Sequence, residues 1–495
     1  MLNILNSAQK NLQKIAIIEG EKQYTYQNLL ENSRNFAKHL LAENDSLNGA
    51  RVGFLVSPGF NYVVVQWAIW QAGGVAVPLS VSYPLPALQY AIENTEAEIL
   101  VANAPFSNIL SALGTNLNIR FVEYNDNQSI PFVEKKLPDI NSNQNAMILF
   151  TSGTTNLPKG VVTTHANIEA QISTLIEAWQ WNEADHILCV LPLHHVHGII
   201  NVVSCALWAG ATVEFLPNFS ESAVFEIFMK GQINVFMAVP TIYFKLISFW
   251  EKQNEQFQKE ISGNLAQFRL MVSGSAALPI SVLEKWQNIS GHVLLERYGM
   301  TEIGMGISNP YSGERKAGFI GQPLKGVSVR LVDELGNLVN ADEAGEIQIK
   351  GPSVFKEYWK NELATQKTFT ADGWFKTGDI AIVEEGYYKI LGRDSVDIIK
   401  SGGYKISAIE IEEVLRTYPA IADCSVLGVP NEEWGELVAA VLILKDNSLN
   451  NSELNEYMKS KLPGYKCPKI YKTIEELPKN AMGKVVKNEL KGLFS

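Results

Sequence analysis

The sequence predicts an α/β protein: a large N-terminal domain of βαβ layers with a β-rich subdomain, followed by a small α+β domain. Three observations lead there. The chain has 495 residues, more than one core accommodates, and is 46% hydrophobic against 19% charged, so at least two well-buried domains are expected. Short β-rich runs alternate with helical patterns through its first half. From about Lys325 the texture changes to short strands separated by Gly-centred turns.

Taken in order, "RVGFLV" (51–56) reads as a strand and Asn61–Gly73 as the helix after it. "EILVAN" (98–103), "AMILFT" (146–151), "INVFMAVP" (233–240) and "FRLMVSG" (268–274) continue the rhythm, which implies parallel sheets covered by helices. Ligands in such folds gather where strands end in Gly-rich loops, and "LFTSGTTN" and "LMVSGSAALP" have that form. Tyr62–Leu79 and Gly198–Leu216 are apolar but broken by Gln66, Gln71, Asn201 and Gly210, so they read as core segments rather than membrane spans. "GVSVRLVD", "GEIQIKGPSVF" and "GWFKTGDIAIVEEGYYKILGR" make the β-rich subdomain, about 325–392. The polar "GRDSVD" (392–397) marks the boundary, and "AIEIEEVLRTYP" (408–419) opens the final α+β segment.

A net charge of −11 argues against a nucleic-acid partner, whose phosphates need Lys and Arg. It leaves a small anionic ligand open, because a pocket can oppose the global sign. Cys189, Cys205, Cys424 and Cys467 show no CxxC spacing and read as reduced thiols; of the seven histidines only those at 194–197 cluster. No signal pattern is seen at the N-terminus, and a cytoplasmic protein is expected.

"FTSGTTNLPKGV" (150–161) joins hydroxyls, glycines and one lysine, the equipment for holding a phosphate. It is not the mononucleotide P-loop, since Pro158 precedes Lys159 and Gly160 follows it. Alone, it also reads as ordinary loop punctuation. Five further stretches decide the matter: "LPLHHVHG" (191–198), "ERYGMTEIG" (296–304), "GWFKTGD" (373–379), "GRDSVDIIKSGGYK" (392–405) and "PKNAMGK" (478–484).

With these motifs in this order, the chain resembles the adenylate-forming superfamily of acyl-CoA synthetases over nearly its whole length, and within it the malonyl-CoA synthetases. The resemblance implies a reaction in two steps. A carboxylate attacks the α-phosphate of ATP to give acyl-AMP and pyrophosphate; the CoA thiol then displaces AMP. It also implies Mg²⁺ on the phosphates and a small C-terminal domain, 398–495, that moves on a hinge at 393–397 against the large domain, 1–392. Thr151, Ser152, Gly153, Thr154, Thr155 and Lys159 match the ATP-phosphate loop, and Thr301 and Glu302 the phosphate and Mg²⁺ contacts. Gly274, Ser275, Ala276, Tyr298 and Gly299 correspond to the adenine wall, Asp379 to the carboxylate on the ribose hydroxyls, and Arg393 to its neighbour. Lys484 matches the C-terminal catalytic lysine, and Ser401, Gly402, Gly403 and Tyr404 the loop that approaches CoA.

Arg297, beside the adenine-binding tyrosine, carries the substrate inference. A desolvated arginine needs a partner, and a second carboxylate on the substrate supplies one bidentately. In malonyl-CoA synthetases an arginine in this context is implicated in holding the distal carboxylate. The competing expectation is an internal ion pair with Glu296. His195 matches the histidine flanking the acyl tunnel; His197 and Met237 are the other expected acid contacts. One departure stands out: Ser395 occupies the usual hinge position and the following stretch is a residue longer, so the pivot is expected anywhere in Asp394–Asp397. Another acid, a carrier-protein thiol as acceptor, and a catalytically silent nucleotide-binding relative are the alternatives, and a monomer or a homodimer is expected.

Overall fold

The computed structural model describes residues 2–125, 135–151, 158–340, 342–394, 396–402, 404–431, 433–445, 449–479 and 485–494. Two large sheets face a shared core. The first runs, edge to edge, through Gln322–Pro323, Gly304–Ser308, Leu295–Met300, Leu270–Ser273, Val235–Ala238, His186–Cys189, Thr212–Phe215, Ile15–Glu19 and Lys22–Thr25. From Leu295–Met300 to Ile15–Glu19 its neighbours are all parallel. The second runs through Glu357–Tyr358, Lys159–Thr164, Asn145–Thr151, Val75–Pro78, Arg51–Leu55, Ile99–Asn103 and Arg120–Tyr124.

The helix Phe60–Gln71 is apolar on nearly every side because it is packed on every side, with Trp67 and Trp70 fully buried. Tyr26–Leu41, by contrast, buries one face and is started by a reciprocal cap between Thr25 and Asn28. The apolar stretch 198–216 divides into a π-helix, His197–Ser204, a short α-helix, Cys205–Ala209, and the strand Thr212–Phe215. No helix among the described residues is long and apolar enough to cross a membrane, and all four cysteines are buried and unpaired.

The expected strands at 51–56, 98–103, 146–151, 233–240 and 268–274 all form, each shortened by a residue or more except 146–151, which starts one residue earlier at Asn145. One local expectation is corrected. The sheet around the phosphate loop is not purely parallel: Asn145–Thr151 pairs parallel with Val75–Pro78 but antiparallel with Lys159–Thr164, so the phosphate-loop segment joins two antiparallel strands. Ser328–Val332, Gly345–Lys350, Phe375–Glu384 and Tyr387–Arg393 form a four-stranded antiparallel sheet. The smaller C-terminal domain has its own five-stranded sheet, built on the Ile421–Asn431/Gly435–Leu444 hairpin, and its own core under the helices Ala408–Arg416 and Asn451–Lys461.

Candidate active site

Arg297 lies in the strand Leu295–Met300, and the pleat decides its surroundings. Leu294 packs with Leu278 and Trp286 on the helix side of the sheet, whereas Leu295 packs into the core between the two large sheets. Alternation gives Glu296 the first side and Arg297 the second. Arg297 is 3% exposed, and its Nε and Nη2 have no hydrogen-bond partner among the described residues. Burial pulls its pKa down to about 9, which leaves it a cation at neutral pH. Gly274 explains how the guanidinium fits: a Cβ there would stand 2.5 Å from Arg297 Cζ. The expected alternative, pairing with Glu296, is not formed. Glu296 accepts from Leu278 N at 3.3 Å, and burial raises its pKa to about 8, so it is predominantly a neutral acid at pH 7.

His197 opens the π-helix. Its Nδ1 is 3.2 Å from Ser275 Oγ, and its Nε2 is buried without a partner. Burial, then the charges of Arg297 and His195, hold its pKa well below the ordinary histidine value, so the ring is neutral. A buried cation and a neutral imidazole, both with unused hydrogen-bonding capacity, are costly unless a ligand completes them. His194 and His195 lie just before His197 in sequence with ring centres 4.0 Å apart, and burial drops His194 to about 3. Met237 is fully buried, in register with Val272 on the face of the sheet that carries Arg297.

A second cluster lies where the four-stranded sheet meets the first large sheet. Tyr298 donates its hydroxyl to Asp379 Oδ2 at 2.6 Å, while Arg393 Nε donates to Oδ1 at 3.0 Å. Asp379 and Arg393 are cross-strand partners, and Arg393 Nη2 also reaches Thr377 O at 3.3 Å. Gly299 is needed for packing, since a Cβ would fall 2.1 Å from Gly304 O. Ser275 takes a left-handed φ of 71°, which turns the chain after Gly274.

On the phosphate-loop side, Glu302 is buried and accepts the Tyr358 hydroxyl at 2.9 Å; burial raises its pKa. Lys159 Nζ stands 4.8 Å from the centre of the Tyr358 ring, and Thr151 Oγ1 lies 3.5 Å from Lys159 O. Thr301, half-buried, adjoins Glu302 in the turn. No group of three or more His, Cys, Asp or Glu side chains among the described residues is arranged to hold a metal. A lone buried carboxylate suits Mg²⁺ bound mainly through a ligand's phosphates and waters. Tyr358 was not legible in sequence: it sits 56 residues from Glu302 and belongs to no motif. Ser152, Gly153, Thr154, Thr155, Gly403 and Lys484 lie outside the described residues, as does Ser395.

The remaining expected positions are on the small domain. Gly402 has φ +56° and donates its N–H to Trp434 O at 2.9 Å; exposed Tyr404 stacks on Tyr465 at 4.5 Å, and Ser401 is buried beneath. At the junction, Asp397 is pinned: Arg393 N donates to its Oδ2 at 3.1 Å and Lys487 Nζ lies 2.7 Å from Oδ1.

Comparison with known proteins agrees with this geometry. The AMP-binding enzyme model matches residues 4–359, and the AMP-binding enzyme C-terminal domain model residues 410–484. Malonate–CoA ligase ACSF3, mitochondrial, of Xenopus laevis is 42% identical over 97% of this chain and 89% of its own length. ATP-bound MatB from Rhodopseudomonas palustris superposes with a TM-score of 0.90 at 31% identity, covering 100% of this chain and 99% of that one. The apo structure of the same protein, with the same identity and coverage, gives 0.82. The chain belongs to the AMP-binding enzyme family, in its large domain and its small one alike.

Proposed function

We propose that the protein is an ATP-dependent malonate–CoA ligase, converting malonate, ATP and CoA to malonyl-CoA, AMP and pyrophosphate. Family membership supports the reaction type, and malonate is the acid named for the ACSF3 relative. The observation that carries the substrate is Arg297, buried and unpaired against Gly274, with the open nitrogen of His197 close enough for the Arg297 charge to lower that histidine's pKa.

In the first step a malonate oxygen attacks the α-phosphorus while the bond to the pyrophosphate oxygen breaks. In the second the CoA sulfur attacks the acyl carbon, AMP leaves, and the thiol proton passes to solvent. Arg297 and His197 hold the distal carboxylate, fixing the reacting one at the nucleotide. Asp379, steadied by Tyr298 and Arg393, receives the ribose hydroxyls, and the Tyr298 ring with the Gly274–Ala276 turn forms the adenine wall. Thr151, Lys159 and Thr301, with Ser152, Gly153, Thr154 and Thr155 of the same loop, bind the phosphates; Lys484 serves the α-phosphate, and 401–404 guide CoA. Glu302 would hold a Mg²⁺ ion brought in with ATP, which would supply charge neutralisation on the phosphates. The small domain, from 398 onward, turns about the 393–397 segment between the steps.

The test is a panel of malonate, methylmalonate, acetate, propionate and octanoate, read by pyrophosphate release with and without CoA. Malonate is expected to lead, with pyrophosphate appearing before CoA is added and AMP only as thioester forms. Preference for octanoate, or ADP as product, overturns the reading.

A further inference from the structure

The helix Ile280–Ser290 starts with no side-chain cap of its own; Pro279 precedes it. Helix starts leave N–H groups unsatisfied, and a carboxylate there meets both those donors and the positive end of the helix dipole. Here the carboxylate comes from the other domain. Ile280 N donates to Oε2 of Glu413, 3.3 Å away, and Glu413 sits on the small domain's helix Ala408–Arg416. Arg416 Nη1, 3.3 Å from Glu413 Oε1, holds the carboxylate from behind. Two residues before Ile280, Leu278 N is taken by Glu296 of the large domain.

The segment 274–279 therefore connects three things. It begins at Gly274 under the Arg297 guanidinium, passes through Ser275 on His197, and ends at N–H groups held by carboxyl groups from two domains. Over the whole chain, the structure in which this contact exists superposes on ATP-bound MatB with a TM-score of 0.90 and on apo MatB with 0.82. A small domain that rotates away takes Glu413 with it and leaves the helix uncapped.

We propose that Glu413 is an interdomain positioning residue, which caps the Ile280–Ser290 helix in trans, favours the domain orientation of the adenylation step, and steadies the 274–279 segment at the acid pocket. The proposal rests on the ligase reading above. A cap of ordinary strength shifts such an equilibrium about tenfold.

The test uses Glu413→Ala, Glu413→Gln and Ile280→Pro in the full chain. Glutamine keeps an acceptor oxygen. Proline at the first helical position removes the N–H while suiting the backbone there, and Ile280 is 37% exposed. Malonate-dependent pyrophosphate release without CoA is expected to slow about tenfold in Glu413→Ala and Ile280→Pro, and to stay near wild type in Glu413→Gln. Thioester formation from pre-made malonyl-AMP should be unchanged in all three. The double variant should be no slower than either single one. Equal loss in both half-reactions, no loss in either, or failure of glutamine to restore the rate overturns the proposal. Hydrogen exchange in the peptide 278–283 reads the cap independently of any substrate: it should quicken in Glu413→Ala, and unchanged exchange also overturns it. A wild type inactive on malonate with normal exchange protection indicts the substrate reading instead.

Discussion

Arg297→Leu is expected to lower kcat/KM for malonate by on the order of 10⁴-fold and to raise activity on propionate relative to malonate. Sites built around a buried polar partner reject analogues lacking it by about 10⁴–10⁵, whereas a missing methylene costs only about 10–200-fold. Size alone cannot produce a large preference for malonate over acetate; an unpaired guanidinium can. KM for ATP should change little, because the Tyr298–Asp379–Arg393 cluster takes no hydrogen bond from Arg297. Gly274→Ala should act in the same direction without removing the charge, since its Cβ displaces the guanidinium from 2.5 Å. Steady-state kinetics on the acid panel checks both. A leucine variant that keeps full malonate activity sinks the dicarboxylate assignment and leaves the ligase chemistry standing.

Lys484→Ala should separate the half-reactions. Loss of one electrostatic contact to a reacting phosphate costs about 10²–10³ in rate. Malonyl-AMP formation is therefore expected to fall by about that factor, while thioester formation from supplied malonyl-AMP proceeds near the wild-type rate. Rapid-quench measurement of each step decides it. Equal loss in both, with an unchanged melting temperature, assigns Lys484 to some other role.

Much of the fold was readable because apolar runs in parallel strands are nearly continuous, and the strands around 51, 99, 146, 235 and 270 all carry that mark. Val75–Pro78 was folded into a longer apolar stretch, since a buried helix followed by a buried strand shows no change of period. In the site, local motifs pointed to Tyr298, Asp379, Arg393 and Glu302, which the fold brings into two neighbouring clusters. Pairings across distance were not readable. Nothing in the sequence joins Tyr358 to Glu302 or Glu413 to Ile280. The choice between Glu296 and a ligand as the partner of Arg297 needed the pleat: adjacent strand residues face opposite ways, so the nearest acid in sequence was the wrong one.

The π-helix that begins at His197 has a bearing on how this protein can be altered. A π-turn holds one residue more than the α-turn it replaces, and its backbone is the less favourable of the two. Deleting a single residue between Gly198 and Ser204 would let the segment relax to α-helix and continue smoothly into Cys205–Ala209. It would also remove the widened turn that presents His197 Nδ1 to Ser275 Oγ. A variant with such a deletion is expected to melt at a higher temperature and to lose activity on malonate. The extra residue is thus a place where durability and usefulness pull the gene in opposite directions.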